Sequence, residues 1–138
     1  MLIDSNILIY ALNIKSDKHK AARHFLKQNY KNLYIAQQNV LETLRVITHS
    51  KFPNVLLPIK AVDKIEKLAV GFNLITPKAE TYLIALDLIS KYKISGNRIF
   101  DAYLVATMLS NGITRIATDN VKDFAIYRGI EVVNPFKE

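Results

Sequence analysis

A chain of 138 residues with no cysteine has room for one core of ordinary size, and it excludes disulfides, thiolate nucleophiles and cysteine-held metal centres together. Half of the residues are hydrophobic and 22% are charged, which excludes disordered and low-complexity classes. The longest apolar run, Ile7 to Leu12, is far short of the ~18 residues that suggest a membrane span, and no cationic leader precedes a cleavage-like site. The expectation is a single cytoplasmic domain over residues 1–138 with no membrane contact. The net charge of +7 favours polyanionic partners, and it is uneven: residues 1–69 carry 11 Lys/Arg against 5 Asp/Glu, residues 70–138 carry 8 against 7.

In chain order, Met1 to Asp4 reads as a short strand that passes directly into a helix over Ser5 to Asn13, with Asp4 or Ser5 suited to cap it. Asp17 to Gln28 has Ala21, Ala22, Phe25 and Leu26 at helical spacing; Lys15, Lys18, Lys20, Arg23, Lys27 and Lys31 read as the solvated face of an amphipathic helix, with a stripe following a phosphate backbone as the alternative. A strand at Leu33 to Ala36 leads into a helix over Gln37 to His49, whose apolar face is Val40, Leu41, Leu44 and Ile47. Pro58 opens the next helix, which stops at Gly71. Asn73 to Ile75 is a strand, and Thr76-Pro77 reads as an N-cap with proline at the first position of a helix reaching Tyr92. Ile99 to Ser110 is a strongly apolar helix closed by Asn111-Gly112; strands follow at Thr114 to Ala117 and Ile130 to Val133. Tyr10, Tyr82 and Tyr103 fall in apolar helix patterns and are expected in the core. Strand and helix alternate throughout, which predicts an α/β fold of three layers, α/β/α, around a mostly parallel sheet.

In such a sheet ligands bind beyond the carboxyl ends of the strands. Asp4 ends the first strand and Asp119 ends the one at 114–117, so neighbouring strands would bring their acids together. Either residue is equally suited to capping a turn. Asp101 is the only charge in its apolar helix, on the side shared by Leu104, Val105 and Met108. An unpaired carboxylate there costs several kcal/mol, about 0.3–2 of which the helix dipole can return, so it asks for a compensating ligand. By periodicity Glu42 lies opposite Val40, Leu44 and Ile47 and reads as a solvated residue pairing with Arg45. Asp123 reads as the cap of a short turn.

Asp-Ser-Asn at 4–6, Asn-Val-Leu-Glu-Thr-Leu-Arg-Val-Ile-Thr at 39–48, Phe-Asp-Ala-Tyr-Leu-Val-Ala-Thr at 100–107 and Thr-Asp-Asn-Val-Lys-Asp-Phe at 118–124, in this order, resemble the PIN-domain nucleases, and among them most the VapC toxins of toxin–antitoxin pairs. The resemblance covers essentially the whole chain. It implies an acidic set of Asp4, Glu42, Asp101 and Asp119 as catalytic and metal-ligating residues, with Asn6 and Thr118 as polar helpers and Asp123 as an accessory. It also implies a magnesium- or manganese-dependent endoribonuclease acting on RNA, a homodimer, and an antitoxin partner. The alternative from another class is a non-catalytic PIN-like module that binds RNA or protein. Carboxylates without cysteine or a histidine cluster suit a hard ion such as Mg²⁺ or Mn²⁺ and disfavour zinc. The histidines, His19, His24 and His49, are scattered and expected at the surface.

Overall fold

The computed structural model, which describes residues 1–137, has the expected alternation. Its elements are β1 (Leu2–Ile3), α1 (Ser5–Leu12), α2 (His19–Asn29) with a 3-10 turn at Tyr30–Asn32, β2 (Tyr34–Ala36), α3 (Gln37–Ile47), α4 (Pro58–Ala69), β3 (Asn73–Ile75), α5 (Thr81–Lys91), α6 (Arg98–Ser110), β4 (Arg115–Ala117), α7 (Val121–Phe124) and β5 (Glu131–Val133). The strands form one sheet in the order β3-β2-β1-β4-β5, and every pair is parallel.

A parallel sheet buries both faces, and the two-residue period of its strands feeds two cores. Leu2, Ala36 and Ile116 point to the layer of α5, α6 and α7, whereas their neighbours Ile3, Ile35 and Ala117 point to the layer of α1, α2 and α4. The central strand β1 is thus covered on both sides, with Leu2 and Ile3 fully buried.

Several boundaries differ from expectation, each for a local reason. The helix expected from Thr76-Pro77 begins at Thr81, because the Lys78 N–H donates to Thr81 Oγ1 at 2.8 Å and spends the preceding residues on a turn. Thr81 is itself buried, sharing a 2.7 Å hydrogen bond with Ser110 Oγ that ties α5 to α6. The second helix starts at His19 rather than Asp17 because Ser16 organises a turn, its Oγ accepting from the Lys18 N–H at 3.1 Å. Tyr82 is 64% exposed rather than in the core, and Tyr10 and Tyr103 are only half-buried.

The core face of α3 is Asn39, Thr43 and Ile47, and Leu41 stands in solvent. Polar groups take those inward positions with most of their hydrogen bonds made: Asn39 Oδ1 accepts from the Ala36 N–H at 2.9 Å and Thr43 Oγ1 donates to the Asn39 carbonyl at 2.7 Å, leaving Asn39 Nδ2 without a partner among the described residues. The helix is therefore rotated from its apolar-wheel orientation, which changes what Glu42 faces.

Candidate active site at the carboxyl ends of β1 and β4

The chain runs outward from β1 through β2 to β3 on one side and through β4 to β5 on the other, so the crevice typical of α/β sheets lies over β1 and β4. Leu2 is in register with Ile116 and Ile3 with Ala117. The Asp4 N–H closes the pairing on the Ala117 carbonyl at 2.9 Å, which sets Asp4 beside Thr118.

Asp4 is 7% exposed, and both its carboxylate oxygens are held. Oδ1 accepts from the Ser5 N–H at 2.8 Å, the N-cap bond of α1, while Oδ2 accepts from Asn6 Nδ2 at 3.0 Å and Thr118 Oγ1 at 2.6 Å. The direction of the Thr118 bond is fixed, since its oxygen already accepts from Asn6 Nδ2 and from the Asn120 N–H, each at 3.0 Å. Burial nonetheless holds the Asp4 carboxyl above its ordinary pKa, against these donors. Thr118→Val keeps the shape and removes the hub: it leaves Asp4 with one donor fewer and two N–H groups without an acceptor. A loss of about 1–3 kcal/mol in a urea titration is expected; an unchanged midpoint would refute the hub.

Glu42 is half-buried and turned toward this network. Its Oε2 accepts from Ser5 Oγ at 2.8 Å and its Oε1 from Gln38 Nε2 at 2.7 Å. The expected pairing with Arg45 is absent among the described residues. Asp101, in the first turn of α6, is different again, for no hydrogen bond reaches its carboxyl among the described residues. Burial first, then the charges of Asp4, Asp123 and Glu42, push its pKa up to about 6, against the pull of Arg98. Arg98 Nε itself lies 3.6 Å from Asp123.

Beneath these acids Tyr127 is 3% exposed and its hydroxyl has no partner among the described residues. Burial, with Asp101 next, pushes the phenol up to about 12. Its ring packs edge-on against Tyr92 at 5.1 Å, so Tyr127→Phe keeps the packing and removes the orphaned hydroxyl. A rise of about 1 kcal/mol in unfolding free energy is expected, and a fall would mean that the hydroxyl is bonded in solution.

Asp119 follows Thr118 but is held elsewhere. Its Oδ2 is ion-paired with Lys18 and accepts from Tyr10 OH at 2.9 Å, and its Oδ1 lies 3.4 Å from Asn134 Nδ2. The Lys18 ammonium, 5.1 Å from the Tyr10 ring centroid and 5.4 Å from that of Phe136, holds the Asp119 carboxyl below its usual range. The structure therefore brings Asp4, Asn6, Glu42 and Thr118 into one hydrogen-bonded network, with Asp101 and Asp123 in its field, and attaches Asp119 to the basic segment before α2. Sequence reasoning missed Ser5, which bridges Asp4 and Glu42, and Gln38, which braces Glu42. The Gln38/Glu42 spacing of one helical turn was the available signal; nothing marked Lys18 or Tyr10 as partners of a residue so distant in the chain.

A family model, the PIN domain, matches residues 1–129. The chain belongs to the PIN-domain family. Curated protein sequences give no match. Among solved structures, the PIN fold seen here is shared with a toxin–antitoxin complex from Klebsiella pneumoniae (22% identity, 99% of this chain and 98% of the other, TM-score 0.72). It is shared too with VapBC2 from Rickettsia felis bound to a promoter DNA fragment (19%, 96% and 96%, 0.74) and with Mycobacterium tuberculosis VapC20, a sarcin–ricin loop cleaving toxin (14%, 94% and 98%, 0.70).

The acids of this PIN domain open into a cleft of about 770 Å³ between α3 and the start of α6, where both Glu42 and Asp101 line the wall. A second concavity of about 590 Å³, between α2 and α4, is lined by Arg23, Lys27, Lys64 and Lys67 and holds no carboxylate. Among the described residues no group of three or more histidine, aspartate or glutamate side chains stands arranged to hold a metal ion. The donor chemistry nevertheless fits a hard cation: all donors are oxygens, Asp101 is bare of hydrogen-bond donors, and its pKa is raised first by burial and then by the neighbouring charges of Asp4, Asp123 and Glu42, both of which a divalent ion would offset.

Proposed function

We propose that this PIN domain is a magnesium- or manganese-dependent endoribonuclease, the toxin of a toxin–antitoxin pair acting in the cytoplasm. The observation that carries this reading is Asp101, a carboxyl in the field of Asp4, Glu42 and Asp123 with no donor of its own, at the mouth of a cleft over the carboxyl ends of the central strands. Asp101 and Glu42 would hold the ion directly, Asp4 would hold it from a position fixed by Thr118, Ser5 and Asn6, and Asp119 would join by exchanging its Lys18 ion pair. A bound divalent ion supplies charge neutralisation at the phosphodiester and a more acidic water.

The chain's own groups do the rest. The Thr118 and Asn6 donors fix the Asp4 carboxyl in its buried place, and Ser5 and Gln38 fix the orientation of Glu42. The basic early half of the chain attracts the phosphate backbone, so affinity for RNA should fall with salt. The likeness to toxin–antitoxin complexes supports an antitoxin partner for this chain. Leu57 before α4, Ile59 on α4, Leu74 on the edge strand β3, and Tyr82, Leu83 and Leu86 on α5 are exposed and support a homodimer. No described helix is long and apolar enough to cross a membrane.

The deciding experiment is cleavage of a labelled RNA with Mg²⁺ or Mn²⁺, by the wild type and by Asp4→Asn and Asp101→Asn. Metal-dependent scission lost in both variants supports the assignment. Binding without scission assigns the non-catalytic module instead, and scission unchanged in both variants refutes the site. A small frame encoding a DNA-binding protein immediately upstream supports the toxin role, and light scattering at twice the chain mass supports the dimer.

A further inference from the structure

Of the acids Asp4, Glu42, Asp101 and Asp119, only Asp119 is ion-paired among the described residues, and its cation comes from the chain itself. Lys18 Nζ pairs with Asp119 Oδ2, the oxygen that also accepts from Tyr10 OH at 2.9 Å. Three segments build this place: Tyr10 of α1, Lys18 of the turn before α2, and the stretch Asn134 to Phe136 beyond β5. Asn134 serves both sides of it, since its Nδ2 reaches Asp119 Oδ1 at 3.4 Å and its Oδ1 accepts from the Phe136 N–H at 2.9 Å. The Tyr10 and Phe136 rings meet edge-on at 5.4 Å, and the ammonium stands 5.1 Å from one centroid and 5.4 Å from the other. Lys15 and Lys20, its neighbours in the chain, are exposed and make no ion pair among the described residues. The capture is particular to Lys18.

Asp119 nevertheless belongs to the acidic network by its backbone. Its N–H donates to Asn6 Oδ1 at 3.3 Å, and Asn6 Nδ2 donates to Asp4 Oδ2 at 3.0 Å. The residue is thus anchored beside Asp4 while its carboxylate is turned to the lysine. The Lys18 backbone is fixed independently, its N–H on Ser16 Oγ at 3.1 Å and its carbonyl accepting from the Ala22 N–H at 2.9 Å, so the ammonium can leave by side-chain rotation alone. A divalent ion carries twice the charge of an ammonium and feels Asp4, Glu42 and Asp101 as well, which gives it the means to replace one.

We propose that Lys18 is a built-in counter-ion of the metal site. It occupies Asp119 in the metal-free chain, and a divalent ion gains Asp119 as a ligand only by displacing it, so Lys18 sets the metal concentration at which the site fills. This rests on the nuclease reading of the acids and adds a regulatory residue that touches neither substrate nor reacting atoms.

The test is calorimetric titration of Mn²⁺ into the full chain at pH 7.5 without RNA. Lys18→Met keeps a stem of similar length between the two rings and removes the charge. It should bind Mn²⁺ about tenfold more tightly, because a partly exposed ion pair and a cation over two rings each contribute a factor of a few. Lys18→Arg keeps a cation in place and should stay within about threefold of the wild type. Lys20→Met removes the same charge from an exposed position and should shift affinity by less than about twofold, since salt screens it. In an Asp119→Asn background, Lys18→Met should change affinity by less than about twofold, there being no ion pair left to release.

Unchanged or weaker binding by Lys18→Met overturns the proposal, as does a gain no larger than that of Lys20→Met or one that persists beside Asp119→Asn. If Asp101→Asn abolishes Mn²⁺ binding while Lys18→Met leaves it as in the wild type, the counter-ion falls and the metal site stands. If Lys18→Met binds Mn²⁺ about tenfold more tightly, as expected, and no preparation cleaves RNA, the counter-ion stands and the nuclease reading falls. No binding in any preparation, Lys18→Met included, removes both.

Discussion

Asp101→Asn is expected to lower RNA cleavage by at least about a hundredfold, the scale on which single charge-stabilising groups act in enzymes, while making the metal-free protein more stable at neutral pH. The two effects have one cause. Burial and the charges of Asp4, Asp123 and Glu42 raise the folded-state pKa of Asp101 to about 6, above the ~3.9 of an unfolded aspartate. Between these values the native state binds more protons than the unfolded chain, so stability falls as pH rises from about 4 to 6, and above 6 the full penalty is present. Taken whole, such a rise corresponds to about 3 kcal/mol; Asp101 is half-exposed, and solvent screening brings the expected gain of the asparagine variant at pH 7 to about 1–2 kcal/mol. Thermal melts in EDTA at pH 4.5 and 7.5 measure this directly, with the variant's pH dependence flatter than the wild type's. Magnesium or manganese should then raise the wild-type Tm at pH 7.5 and leave the variant's almost unmoved. A metal-free variant less stable than the wild type would remove the electrostatic argument for the site.

The largest losses of stability are expected at β1. Leu2→Ala and Ile3→Ala each delete a fully buried side chain from a different core, and such truncations cost about 2–5 kcal/mol. The two residues are adjacent in sequence but face opposite layers, so the double variant should lose nearly the sum, a large part of the 5–15 kcal/mol typical of a domain. Urea denaturation of the single and double variants checks both statements. A loss below about 1 kcal/mol at either position would contradict a central strand packed on both faces.

The alternation of strand and helix was legible because it is written in local signals: Pro58 at the first position of α4, Asn111-Gly112 closing α6, and β3 at Asn73–Ile75 as expected. Asp101 was legible for the same reason, as a lone charge in an apolar helix. The start of α5 was not, because Thr81 draws the Lys78 N–H into a turn and then buries its own hydroxyl against Ser110, a contact made by the tertiary fold. Glu42 escaped the helical wheel because the inward face of α3 carries Asn39 and Thr43, whose hydrogen bonds make burial tolerable although their polarity disguises it. The place of Asp119 at a strand end was readable. Its orientation was not, being set by Lys18, 101 positions earlier.

The partners in the acidic network lie far apart along the polypeptide: Thr118 meets Asp4 across 114 positions and Ser5 meets Glu42 across 37. During synthesis the Asp4 carboxyl has its local donors Ser5 and Asn6 beside it, but the Thr118 hydroxyl reaches it only after β4 has been made. A proteolytic nick that releases the segment from Arg115 onward therefore removes β4 and the Thr118 donor together, opening the network around Asp4 while sparing most of the mass.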